Sequence, residues 1–119
     1  MSITMESGES INALNKNITY GGKTQYCTAY HIISNTTNTV TSSTAYLTQL
    51  VICVSVAGSA WTIQVKNKEA TAKIVYSATA AVGTYVYSMG GLTLMTSGID
   101  IVTSGTTAGT ADVFITYYQ

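Results

Sequence analysis

Apolar and polar side chains alternate along most of this chain, and a period of two predicts half-buried β-strands rather than helices. Tyr46, Leu50, Ile52, Val54 and Val56 share one parity and are opposed by Gln49, Cys53 and Ser55, so the first set is expected to face inward. Trp61, Ile63 and Val65 then alternate with Thr62, Gln64 and Lys66 beyond Gly58-Ser59, and the two runs read as a hairpin. Further runs cover residues 72–78, 83–89, 92–95, 99–103 and 112–118. In the last of these Val113, Ile115 and Tyr117 oppose Phe114, Thr116 and Tyr118. Bulk on both faces suggests a central strand or an interface.

Gly and Asn clusters punctuate the runs: Gly21-Gly22, residues 35–38, Gly90-Gly91, Ser97-Gly98 and residues 104–109. Their rhythm is that of an antiparallel sandwich or barrel, and Thr, Val, Ile and Tyr are all strand formers. Seven or eight strands in one domain predict an all-β fold. The first choice is a single antiparallel β-sandwich of jelly-roll type, and the second is an immunoglobulin-like sandwich. Residues 1–25 lack the alternation and carry scattered apolar positions, Ile3, Ile11, Leu14 and Ile18. They read either as a disordered terminus or as an extended N-terminal arm ordered by laying those residues on a partner, with residues 26–119 forming the sandwich.

Composition changes the picture in one respect, charge. The 119 residues hold five Lys, five acidic residues, no Arg and no Pro, and charged residues make up 8% where a soluble domain has about a quarter. A zero net charge leaves no basic footprint for nucleic acid. It also weakens self-repulsion, which permits association. The longest apolar segment, residues 50–57, is interrupted by Ser55 and is too short to span a membrane, and the N-terminus lacks a secretory pattern. Cys27 and Cys53 are expected as buried free thiols, with a single disulfide as the lesser reading.

Candidate chemistry is sparse. His31 is the single histidine and reads as structural, because no serine or cysteine lies in a nucleophile elbow. One His and two distant Cys make no zinc set, the glycines of residues 105–109 lack the Lys of a phosphate loop and read as a hairpin turn, and no cofactor is implied. Asp100 and Asp112 flank that turn and would be paired by a hairpin, which allows a small hydrolase or a Ca²⁺ role as a minor reading. Trp61, Tyr85 and Tyr87 are candidates for a carbohydrate-stacking platform, against the simpler reading that they pack in the core or between subunits.

Residues 92–105 (LTLMTSGIDIVTSG) and 107–117 (TAGTADVFITY) resemble the last strands of small virion proteins of tailed bacteriophages. With residues 54–65 (VSVAGSAWTIQV), the chain from about 45 to 119 is similar to auxiliary capsid proteins, the decoration or cement class. The resemblance implies a non-enzymatic protein made in the host cytoplasm and carried on the capsid surface. Its partners would be the major capsid protein and other copies of itself, as a homotrimer. Ile3, Ile11, Leu14 and Ile18 would then serve in capsid or subunit contact. The alternative is a carbohydrate- or receptor-binding module of a phage tail or fibre.

Overall fold

A computed structural model describes residues 19–20 and 22–119 of the chain. They form strands β1 (Thr19–Tyr20), β2 (Lys23–Ile32), β3 (Thr36–Thr41), β4 (Ala45–Val56), β5 (Thr62–Asn67), β6 (Ile74–Thr79), β7 (Gly83–Met95), β8 (Ile99–Ser104) and β9 (Thr110–Tyr118), with no helix among the described residues. Among the described residues the sheet begins at Thr19, inside the segment assigned to the arm, and Ile3, Ile11, Leu14 and Ile18 lie outside the described residues.

Two antiparallel sheets stack as a β-sandwich. One has the order β1-β2-β9-β4-β7 and the other β3-β8-β5-β6. The pairing follows a simple rule: β2 pairs with β9, β3 with β8, β4 with β7 and β5 with β6. The chain is therefore a long ribbon folded back at the β5–β6 link, with successive strand pairs placed alternately in the two sheets. Contacts of β4 with β9 and of β5 with β8 close each layer.

This winding corrects two expected hairpins. β4 and β5 lie in different sheets, so Gly58-Ser59 belongs to a crossing between layers. The positive φ of Gly58 (72°) and Ala60 (49°) marks the sharp bend such a crossing needs. Residues 105–109 likewise join β8 in one sheet to β9 in the other, and are no hairpin turn. Gly90-Gly91 does not end a strand either, because both residues lie within β7. There the register against β4 jumps from Thr93↔Leu47 to Ser88↔Gln49.

The core is filled from both inner faces, as alternation requires. Leu50, Ile52 and Val54 of β4 share one buried cluster with Trp61, Ile63 and Val65 of the chain entering and forming β5, with Val113 and Ile115 of β9 and with Ile99 and Ile101 of β8. Each fully buried aliphatic side chain contributes about 1.5–3 kcal/mol. Tyr46 and Val56, expected inside, face outward. Thr48 and Ser55 are extra residues in the β4–β9 ladder, and each bulge inverts the parity of what lies beyond it. Ala45 and Leu47 consequently take the inner positions before Thr48, and both are buried.

The long β5–β6 link is held by a buried amide. Lys73 N donates to Asn67 Oδ1 (2.8 Å), and Asn67 Nδ2 donates to Thr96 Oγ1 (3.0 Å) in the β7–β8 crossing. Gly98 in that crossing has φ 120°, and a Cβ there would collide with the Thr41 carbonyl oxygen, so the approach of the two segments requires glycine.

Candidate functional site

Ionisable side chains do not converge. Asp100 of β8 accepts from Thr39 Oγ1 (2.8 Å) and Lys68 Nζ (3.3 Å) on the outer face of the four-stranded sheet. Asp112 of β9 accepts from His31 Nδ1 (2.7 Å) on the outer face of the other sheet. The two carboxylates stand on opposite surfaces of the sandwich, so the hairpin that would have paired them across a cleft is absent and the catalytic or Ca²⁺ reading loses its geometry.

Register places Cys53 beside Asp112, which is itself beside His31, across three adjacent strands. The carboxylate occupies the middle position where a thiol–imidazole pair would need the histidine. No group of three His, Cys, Asp or Glu among the described residues is arranged to hold a metal ion. Both cysteines are free thiols, and neither is buried: Cys27 is exposed on β2 and Cys53 half-buried on β4, because both take outward positions. Among the described residues no helix is long and apolar enough to cross a membrane.

The proposed aromatic platform is divided by the fold. Trp61 is 0% exposed at the centre of the core, so it presents no ring to a ligand. Its Nε1 has no hydrogen-bond partner among the described residues, a cost that the burial of the large ring has to offset. Tyr85 and Tyr87 do share a face, but register with Ile52 and Leu50 turns it inward at the margin of the sandwich. Tyr87 packs on Tyr76 of β6 with ring centroids 4.9 Å apart, and the Tyr85 hydroxyl donates to the Ala81 carbonyl (3.0 Å). The tyrosines close the side where the two sheets' edge strands meet. Burial and the hydrogen-bonded Tyr87 push the Tyr76 hydroxyl up to about 12, and burial also raises Tyr30 and Tyr117.

What the sequence reading missed is the outer face of the five-stranded sheet. Cross-strand register aligns Ala29, Phe114, Val51 and Val86 in one row over four strands. Phe114 is 40% and Val86 60% exposed. Toward the Lys23 end of β2, Tyr46 and the exposed Leu94 form a second apolar strip, and Lys23 Nζ lies 5.1 Å from the centroid of the Tyr46 ring. The bulk of Phe114 opposite Ile115 was a local signal for this surface. Its neighbours were not legible, because they are brought beside it by pairing alone.

The long strand β7 leaves one edge unpaired among the described residues, as do β3 and β6. Uncovered backbone donors and acceptors of this kind favour association. No family model matches the chain, and no curated relative or solved structure matches it.

Proposed function

We propose that this is a non-enzymatic structural protein of a virion, an auxiliary capsid protein of the decoration or cement class that binds the major capsid protein and bridges subunits of the shell. The observation that carries the reading is the ribbon order. Pairs β2·β9, β3·β8, β4·β7 and β5·β6 wound alternately into two layers support a jelly-roll reading of the sandwich, an architecture used by viral capsid domains.

The surface chemistry supports the same reading. Threonine, serine and amide side chains give contacts that change little with ionic strength, whereas exposed ion pairs are weak and screened. The unpaired edge of β7 and the apolar row around Phe114 supply surfaces for assembly. Self-association as a homotrimer is the number that the resemblance implies, with the segment before Thr19 reaching a neighbour or the shell. The saccharide-binding alternative is disfavoured by the loss of Trp61 to the core.

The test is immunogold labelling of virus particles purified from the source of this sequence, using an antibody raised against the chain. Label distributed over the capsid surface is the expected result. Particles free of label, or label confined to a tail tip, would remove the capsid assignment.

A further inference from the structure

We propose that the outer face of the five-stranded sheet docks a second copy of this chain, sheet against sheet about a two-fold axis running across the strands. The inference goes beyond the virion reading, because it names a surface and its occupant and stands whether or not the protein binds a capsid.

Three observations select this face and this partner. The first is its apolar content. The row Ala29, Phe114, Val51 and Val86 crosses β2, β9, β4 and β7, with Tyr46 and Leu94 beyond it, and Phe114, Val86 and Leu94 are exposed. The opposite outer face of the sandwich has Thr37, Val102, Gln64 and Ser77 in the comparable row.

The second is size. Four strands spaced by about 4.8 Å, with four outward positions along each, give a patch of about 500 Å², so two copies would bury about 1,000 Å² in all, the lower bound for a specific interface. Neighbouring sheets in a sandwich pack about 10 Å apart with interdigitating side chains, and this face has the same alternation to offer a mate.

The third is charge. Lys23 lies at one end of the face, its ammonium held over the Tyr46 ring, and Asp112 lies at the other end. A two-fold axis across the strands reverses one copy relative to the other and sets each Lys23 against the Asp112 end of its mate. Opposite charges then meet twice, the axis lies over the row Cys27, Thr116, Gln49 and Ser88, and the Phe114 row of each copy meets the Tyr46–Leu94 strip of its mate. An axis along the strands would instead leave both Lys23 at one end of the interface and both Asp112 at the other, so that the opposite charges never meet. Two-fold pairing is isologous and yields an even number of copies. It makes a dimer alone, or joins two trimers back to back if the threefold contact implied by the resemblance also forms.

Light scattering on the full 119-residue chain, followed over a micromolar dilution series, tests the pairing. The expected mass is an even multiple of the 12.5 kDa chain. Phe114→Glu should halve the assembly, and Val86→Lys on the edge strand should do so with less risk to folding. Circular dichroism and thermal melting establish that each variant is folded. Lys23→Glu should weaken association about tenfold, and the double variant Lys23→Glu, Asp112→Lys should restore it.

A monomer or an odd number of copies at all concentrations overturns the proposal, and so does an even assembly that folded Phe114→Glu and Val86→Lys leave intact. A monomer that associates only after residues 2–18 are removed would place the chain's own N-terminal segment on the face, and also overturns it. The virion reading is scored separately: an even oligomer without particle label leaves the pairing and removes that reading, and a labelled particle carrying monomers does the reverse.

Discussion

The sandwich has two outer faces built by the same alternation, and they end up chemically unlike. On the four-stranded sheet the outward positions include Thr37, Thr39, Thr62, Gln64 and Ser77, with Val102, Ile74 and the Lys68–Asp100 pair among them. On the five-stranded sheet the outward positions include Phe114, Val51, Val86, Tyr46 and Leu94. Threonine forms strands as readily as valine and also hydrogen-bonds to water, so it suffices for an outer face that meets only solvent. The first face shows what folding requires. The excess of apolar area on the second is the feature on which the proposed association rests, since the core is already closed by the inner faces of both sheets.

The sharpest way to break that comparison lies within one strand. Ile115 and Phe114 are neighbours on β9 pointing to opposite faces, and Ile115 is fully buried. Ile115→Ala should cost about 2–5 kcal/mol in urea unfolding, from lost burial and the cavity left behind. Phe114→Ala should cost under about 1 kcal/mol in the unassembled chain, through its cross-strand contacts alone. Equal losses at the two positions would mean that the outer row is part of the folding core.

The crossings between sheets come next. Gly98→Ala forces a side chain into a left-handed backbone and against the Thr41 carbonyl, and should lower stability by about 1–3 kcal/mol in the same assay. An unchanged midpoint would show that the β7–β8 crossing shifts freely. The two carboxylates give the smaller contrast. Asp100 is nearly buried and receives both a hydroxyl and an ammonium, so Asp100→Asn should cost about 1–2 kcal/mol. Asp112→Asn, at the exposed pair with His31, should cost under about 1 kcal/mol, and a larger loss there would contradict the assignment of that pair to the surface.

Which of these features the sequence disclosed follows from what each depends on. Leu50, Ile52 and Val54 were legible as inward residues, and the common face of Ile63 with Val65 and of Val113 with Ile115 was legible too, because alternation depends only on the local pleat. The central place of β9, between β2 and β4, was legible from bulk on both of its faces. Sheet membership was not. Gly58-Ser59 and residues 105–109 carry the chemistry of a tight turn, and a crossing between layers demands the same sharp backbone, so the two cannot be told apart without knowing the partner strand. The outward flips of Tyr46 and Val56 were hidden because one inserted residue, Thr48 or Ser55, inverts parity and neither residue type announces a bulge. Tyr85 and Tyr87 were correctly placed on a common face. The face itself was settled by register with Ile52 and Leu50, and Trp61 was withdrawn from the surface by the same sandwich closure.

The margins of the sandwich sharpen the comparison through pH. Tyr76 and Tyr87 join the edge strands of the two sheets, while Tyr117 stacks on Tyr26 near the opposite margin with centroids 5.4 Å apart. Tyr76 is pushed up to about 12 by burial first and by Tyr87 second, from an ordinary value of 10.0. A folded-state value above the unfolded one means the native chain keeps its proton where the unfolded chain releases it. The stabilising contribution is therefore complete below pH 10, declines from pH 10 upward, and is lost as pH passes about 12. Tyr30 and Tyr117, also raised by burial, act in the same direction. Urea midpoints of the wild-type chain should fall as pH rises from 10 toward 12, and Tyr76→Phe, which has no hydroxyl to ionise, should fall less steeply. Parallel curves for the two proteins would show that the Tyr76–Tyr87 margin does not hold the sheets together.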